Sequence, residues 1–280
     1  MRARASTDAR RALAATACAL IVAAVVQPDA ARPDAEAQGP SRASQPDAPV
    51  GTTLAARDAA PVDMTGTWVS VVTEDWQWRM RTPAVGDVAS VPLNARGLQV
   101  AGAWDPAEDG RCEAYGAGGI MRMPGRLRIV WEDGNTLKIE ADAGRQTRLL
   151  RFATADGPPS RSRRRSLQGD SVASWVYGRG AFDAFLERGA GPAGPRPWGS
   201  LTVRTDNLRA GWLRRNGVPY GENATITEHF TRFTHPDAGD WFVVTTIVED
   251  PQYLTRPFIT SSNFRKEPDD SKWSPVACRG

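Results

Sequence analysis

Residues 125–152 read GRLRIVWEDGNTLKIEADAGRQTRLLRF and carry the clearest structural signal in the chain. Apolar residues recur there at every second position: Leu127, Ile129, Trp131, Leu137 and Ile139. Alternation of this kind is typical of half-buried strands. Asp133-Gly134 predicts a type I′ hairpin turn, in which both central residues take positive φ, and Ala143-Gly144 predicts a second turn. The segment is therefore predicted to form an antiparallel meander with one apolar face.

Further strands are predicted on both sides of this meander, where β-branched and aromatic residues cluster between turn signals. They span Gly66–Val72, Ser171–Tyr177, Ser200–Asp206, Ala224–Phe233, Trp241–Glu249 and Phe258–Lys266. Both faces of Trp241–Glu249 are largely apolar, which predicts a central strand covered on both sides. About eight or nine strands with little helix predict a mostly β domain, and the meander favours an antiparallel barrel over a β-sandwich.

Helix signals are few. Asn94 predicts the N-cap of a short helix that ends near Trp104, because Asp105-Pro106 cannot continue it. A helical turn is also predicted at Ala181–Glu187, before a Gly- and Pro-rich loop.

The N-terminal residues predict an exported protein. Arg2, Arg4, Arg10 and Arg11 precede an apolar run from Ala12 to Val26, which is the arrangement of a secretory signal peptide. The run is shorter than the roughly 20 apolar residues that span a bilayer. Ala35-Glu36-Ala37 supplies a cleavage site, with Val22-Ala23-Ala24 as an alternative. We therefore predict a signal peptide at residues 1–37 and a periplasmic or extracellular mature protein without a membrane span.

The remaining chain divides into a linker and one domain. Residues 38–63 are dominated by Ala, Pro, Asp, Ser and Gly, and such a composition buries too little apolar surface to offset the entropy of ordering. We therefore predict a disordered linker at 38–63 and a single β-rich domain at 64–280.

Cleavage of the signal peptide would remove Cys18 and leave two of the three cysteines, Cys112 and Cys278. In an oxidising compartment these two residues are predicted to form a disulfide, with two free thiols as the alternative.

Charge and motif content exclude several function classes. The net charge is only +3, with both signs interspersed, so nothing favours a nucleic-acid partner. The basic cluster at residues 161–165 is interpreted as a solvated loop. Gly116-Ala117-Gly118-Gly119 lacks the spacing of a phosphate-binding loop, and successive residues such as Glu228 and His229 point to opposite faces of a strand. No cofactor, metal or catalytic residue is therefore predicted.

Tryptophan content is the most unusual feature, with ten in the chain. Trp76 and Trp78 share one face if their segment is extended, with Arg79 on the other. Ligand pockets are mostly apolar with a few placed polar groups. The candidate ligand-binding residues are Trp76, Trp78, Arg79, Trp104 and His229. Core packing, or closure of a barrel end, is the alternative role for these aromatic residues.

Two resemblances extend this interpretation. Gly66-Thr67-Trp68 resembles the G-x-W signature of lipocalins, which implies a lipocalin-like barrel that holds one small apolar ligand, with the tryptophan packed across a closed end. The chain also resembles a family of uncharacterised exported bacterial proteins, which implies an exported β domain and no activity. The segments that carry this second resemblance are Glu74–Met80, Ser90–Asn94, Ala103–Pro106, Gly125–Leu127, Glu140–Leu149 and Ile247–Leu254.

Three functions follow as hypotheses. The first is a non-catalytic exported module that binds a small apolar ligand in a barrel pocket. The second is an envelope protein-interaction module. The third is a hydrolase in which His229 acts as a base with Glu228 or Glu249.

Overall fold

A computed structural model describes residues 54–107, 112–178 and 199–278 of the 280-residue chain. Its barrel strands are β1 (Gly66–Val71), β2 (Arg126–Trp131), β3 (Thr136–Ala141), β5 (Gln146–Phe152), β6 (Asp170–Tyr177), β7 (Gly199–Asp206), β10 (Thr225–His235), β11 (Gly239–Glu249) and β12 (Phe258–Lys266). Four short strands lie outside the wall: β4 (Ala143–Gly144), β8 (Gly211–Arg214), β9 (Val218–Tyr220) and β13 (Val276–Ala277). The helices are α1 (Trp76–Arg79) and α2 (Ala95–Gly102), with 3₁₀ turns at Glu113–Tyr115 and Ile120–Arg122.

The nine barrel strands close in the order β1-β12-β11-β10-β7-β6-β5-β3-β2. Neighbouring strands are antiparallel except β5 and β6, which run parallel over three residue pairs. The predicted mostly β fold and barrel are therefore confirmed, and every predicted strand is present within two residues of its expected ends. Among the residues that the structure describes, no helix has the length and apolar character needed to cross a membrane.

The meander forms as predicted, but one turn differs. The predicted type I′ turn at Asp133-Gly134 is wrong, because neither residue takes a positive φ. Residues 132–135 form a longer loop in which Asp133 Oδ1 accepts a hydrogen bond from Asn135 N at 2.7 Å, as Asp side chains commonly do in turns. Positive φ occurs instead at the second turn, at Gly144 (76°) and Arg145 (52°).

The barrel interior is filled by side chains from all around the wall. Trp68 of the G-x-W segment is fully buried, and its ring lies edge-on to Phe242 with centroids 4.9 Å apart. Phe242 also stacks on Phe264 at 4.7 Å and contacts Phe230 at 5.9 Å. Aromatic pairs in this range add to the stabilisation from burial alone. These four rings belong to the main core, which also takes buried side chains from the other barrel strands.

One strand is less covered than its sequence predicts. The inward residues of β11, such as Phe242 and Val244, are buried, whereas the outward residues Val243 and Ile247 are only half-buried. The prediction of a strand covered on both faces is therefore wrong. The strand is part of a single-layer wall whose outer side meets solvent, and its outward apolar residues pack against neighbouring side chains on that surface.

The two ends of the barrel are closed by different segments. At one end, called the covered end, residues 72–107, 112–125, 207–224 and 250–257 lie over the barrel and build a second core around Leu213, Tyr220 and Leu254. At the opposite end, residues 54–64 pack across the wall, and Ala56 O accepts a hydrogen bond from Trp175 Nε1 at 2.8 Å. Residues 54–63, assigned to the linker by composition, thus contact the barrel in the structure.

The C-terminal tail returns to the covered end. Cys112 and Cys278 are joined in a disulfide with a Cα–Cα distance of 5.4 Å, which confirms the predicted pairing. Next to it, β13 pairs in parallel with β4. The helical turn predicted at Ala181–Glu187 lies outside the described residues, as do the predicted signal peptide and most of the linker.

Helix α2 begins at the predicted cap. Asn94 Oδ1 accepts a hydrogen bond from Gly97 N at 2.9 Å, and Asn94 Nδ2 donates to Gln252 O at 3.1 Å.

Asn94→Ala is expected to lower the free energy of unfolding by about 1–2 kcal/mol, because a helix N–H loses its acceptor. Urea unfolding would measure the loss. Asn94→Asp keeps the acceptor and should lose less, whereas an alanine variant as stable as the wild type would contradict this role.

Candidate functional site

The predicted aromatic segment is a helical turn. Residues 76–79 form α1 and are not extended, so the condition under which Trp76 and Trp78 would share one face is not met. Trp76 is 61% exposed, and Trp78 is half-buried. Four residues alone do not hold a helix in water. The turn is fixed by the contacts of Arg79, which is only 2% exposed.

Two buried arginines, Arg79 on α1 and Arg122, have carboxylate partners. Arg79 forms an ion pair with Glu74, and its Nε donates to Arg122 O at 2.9 Å. Its Nη2 donates to Ser70 Oγ at 3.2 Å, at the end of β1. Arg122, on the 3₁₀ turn before β2, reaches Asp75 at 3.0 Å. Burial lowers the pKa of Arg79, Glu74 opposes that change, and Arg122 adds to it.

A third buried arginine has no acceptor in the described part of the protein. Arg214, on β8, is 3% exposed, and its Nε, Nη1 and Nη2 all lack a hydrogen-bond partner there. Arg122 Nη1 is likewise buried without a hydrogen-bond partner among the described residues. The guanidinium of Arg214 lies over the Trp78 ring, 4.7 Å from the centroid. Burial lowers the pKa of Arg214 to about 10, as does Arg122, while Asp75 and Asp87 raise it. Arg214 therefore stays cationic at neutral pH.

These side chains line one small cavity at the covered end. The arginine pocket, as we call it, is lined by Trp78, Arg79, Gly119, Arg122, Met123, Leu213, Arg214 and Arg215. Its volume is about 10 Å³, which is room for roughly one water-sized group. The pocket thus combines an indole face, apolar walls and at least two unsatisfied guanidinium edges.

The β8–β9 hairpin holds the pocket in place. Arg215 Nη2 donates to Arg79 O at 3.0 Å. Asn216 Nδ2 donates to Ala84 O and to Asp87 O, each at 2.9 Å. Asp87 in turn accepts from Trp78 Nε1 at 3.0 Å. The loop after α1 is therefore tied both to the hairpin and to the indole that covers Arg214.

The other predicted site residues lie elsewhere. Trp104 packs against the hairpin turn, where a Cβ on Gly217 (φ 76°) would meet its ring at 2.2 Å. His229 is on the outer face of β10, with Nδ1 3.1 Å from Thr202 Oγ1. The structure thus brings Trp78 and Arg79 together, places Trp104 at the same hairpin, leaves Trp76 on the surface and separates His229 from all of them.

The carboxylate beside His229 points into the barrel. Glu228 is fully buried and forms a two-point ion pair with Arg148, at 2.9 and 2.6 Å. Arg148 Nη2 also donates to Thr205 Oγ1 at 3.4 Å. Glu228 and His229 therefore lie on opposite faces of β10, as their adjacency predicts, and do not form an acid–base pair. Glu249 ends β11 opposite Thr225.

Arg122 and Arg214 were not singled out by the sequence pattern. Asn216-Gly217 is a strong hairpin signal, and it would have placed Leu213 and Arg214 on a strand just before a turn. No local pattern indicates that Arg122 faces the same pocket, since it enters through a 3₁₀ turn far away in the sequence.

A larger cavity lies on the outer wall of the barrel. It measures about 270 Å³ and lies between β5–β7 and the loop at residues 158–161. Val172 is part of its lining, together with Arg151 and Arg204. Residues 161–165 are exposed, in agreement with the predicted solvated loop.

Fold and site together define a closed nine-stranded barrel with an arginine-rich pocket over its covered end. Comparison with protein-family models, with curated proteins and with solved structures finds no match for this chain.

Proposed function

We propose that this chain is an exported, non-catalytic binding module, and that its ligand is anchored in the arginine pocket at the covered end. The observation that carries the proposal is Arg214, a buried cation stacked on Trp78 with no protein acceptor in the described residues. A buried polar group without a partner costs stability, and proteins accept such costs mainly at functional sites.

The filled interior favours this location over the middle of the barrel. Phe242 contacts Trp68, Phe230 and Phe264 along four adjacent strands, and buried apolar side chains from the other barrel strands belong to the same core. The Arg148–Glu228 pair lies nearer the covered end. A ligand of the size that lipocalins hold would have to displace these side chains. At the covered end, a compact group can enter the pocket while the apolar remainder of the ligand contacts the surface of α1.

The surface around α1 supplies apolar contact area for that remainder. Trp76 is 61% exposed, Met80 56% and Val85 44%. Trp76 and Met80 are four residues apart, so they lie on the same side of the helical turn. A small apolar ligand with one polar end therefore fits this site better than a wholly apolar one.

Native mass spectrometry of the mature protein, purified from an exporting host, tests the proposal. We expect one small organic molecule per chain, released on denaturation. Trp78→Leu should weaken its retention by up to about tenfold, because the stacked indole is lost. Trp241→Leu is the matched control, since Trp241 lies at the opposite end of the barrel, where its Nε1 donates to Ala238 O.

Two results would refute the proposal: a wild-type protein that carries no molecule, or equal loss of the bound molecule in the two leucine variants.

The exposed apolar residues around α1 also suit the alternative of a protein-interaction module, in which a partner covers Trp76 and Met80. Trp76→Ser would then abolish capture of the partner while it leaves the small-molecule mass unchanged.

A further inference from the structure

We infer that the arginine pocket binds a compact, singly charged anionic group, such as a halide ion or the carboxylate of an organic ligand, between the guanidinium groups of Arg122 and Arg214. This inference deepens the proposed function, because it names the chemical group that the pocket takes. It uses the same site but depends on charge and on hydrogen-bond geometry, which can be tested without the natural ligand.

The charges around the pocket are not balanced by direct pairing. Arg79 is paired with Glu74, and Arg122 with Asp75. Arg214 has no direct carboxylate contact within the described residues, and the Oδ2 of the nearby Asp87 accepts from Trp78 Nε1. A buried charge is stable only when it is paired and hydrogen-bonded. One further negative charge placed beside Arg214 would satisfy this requirement.

The geometry leaves the donors of Arg214 available in the plane of the guanidinium. Trp78 covers a face of that plane, and a stacked ring does not accept from the N–H groups at the edge. Nε, Nη1 and Nη2 of Arg214 and Nη1 of Arg122 are each buried and unpartnered in the part of the chain that the structure describes. Arg122 and Arg214, which carry these four atoms, both line the cavity, and unpartnered N–H donors suit an anion, which only accepts hydrogen bonds.

Size and surroundings restrict the anion further. The cavity of about 10 Å³ admits a single water-sized group, so a halide or one end of a carboxylate fits, and a whole phosphate group does not. Met123 and Leu213 make part of the lining apolar, and less polar surroundings strengthen charge-assisted hydrogen bonds. The ring of Phe258, 5.8 Å from Arg122, adds to these apolar surroundings.

Calorimetric titration of the wild-type protein with sodium bromide, and separately with sodium acetate, at constant ionic strength tests the inference. We expect one anion per chain in each titration. Arg214→Met should weaken binding by about 10- to 100-fold, as expected for lost hydrogen bonds to a charged group. Arg81→Gln is the matched control, because it removes one positive charge from an exposed side chain in the same segment.

Thermal unfolding provides a second readout, which a purely structural role for Arg214 would not produce. Without anion, Arg214→Met should melt at or above the wild-type temperature, because it removes an unpartnered buried cation. Bromide should raise the melting temperature of the wild type and of Arg81→Gln but not of Arg214→Met. Binding of bromide alone would indicate a free halide, whereas binding of both anions would indicate that an organic carboxylate is accepted.

The possible failures are distinguishable. The anion site is refuted if neither anion binds the wild type, or if Arg214→Met and Arg81→Gln lose affinity equally. This holds even when an organic molecule co-purifies. If bromide binds at Arg214 but no organic molecule is ever retained, the anion site stands and the proposed function fails.

Discussion

Glu228→Ala is expected to lower the free energy of unfolding by about 3–5 kcal/mol, because it leaves the guanidinium of Arg148 buried without its carboxylate. Arg148 is 2% exposed, and both Glu228 oxygens accept from it. The barrel wall excludes water from this pair, so solvent cannot replace the missing charge. Urea unfolding monitored by circular dichroism would measure the loss.

The matched control replaces both partners. Arg148→Met combined with Glu228→Leu removes the two charges together and fills the same space with apolar atoms, so the double variant should lie close to the wild type or above it. His229→Ala, one residue further along β10 but on the outer face, should change stability by less than about 0.5 kcal/mol. If Glu228→Ala is as stable as His229→Ala, the pair does not stabilise the interior.

The second large effect is expected at the disulfide. Cys112→Ser combined with Cys278→Ser should lower the free energy of unfolding by about 2–5 kcal/mol, since the bridge restricts the unfolded chain. The sequence separation is 166 residues, and chain entropy alone gives about 5 kcal/mol as the upper value for such a loop. The tail is also held by the two-residue pairing of β13 with β4, by the Arg128–Asp270 ion pair and by the contact of Arg128 with the Trp273 ring.

Reduction of the wild type provides an independent measurement of the same effect. A phosphine reductant should shift the urea midpoint of the wild type to that of the double serine variant and leave the variant unchanged. Coincident midpoints for the oxidised wild type and the serine variant would show that the bridge does not constrain the unfolded chain.

Much of the fold was predictable because it is encoded locally. The alternation around Leu127 and Ile139 sets both the strands and the face they bury, and the Asn94 cap sets the start of α2. The cysteine pairing follows from there being only two in the expected mature chain. Each of these predictions depends on residues close in sequence or on a count, and each is confirmed.

The arginine pocket was only partly predictable, because distant segments form it. Trp78 and Arg79 were candidates, but Arg122 is 43 residues from Arg79, and the hairpin contact from Arg215 spans 136. Trp76 and Trp78 would share one face only if the segment around them were extended. Burial of Arg79 under long-range contacts winds this segment into a helical turn, which no local pattern records.

The parallel pairing of β5 and β6 has a consequence for the possible shapes of this barrel. Around any closed barrel, the number of antiparallel neighbouring pairs must be even. Nine strands form nine neighbouring pairs, so they cannot all be antiparallel. One parallel neighbour is therefore obligatory here, and the chain must travel back along the outside of the wall to make it. Residues 153–169 make that return, and the outer cavity lies beneath part of it. This return connection is thus required by the odd number of strands. Loop substitutions alone therefore cannot convert this wall into a simple up-and-down barrel.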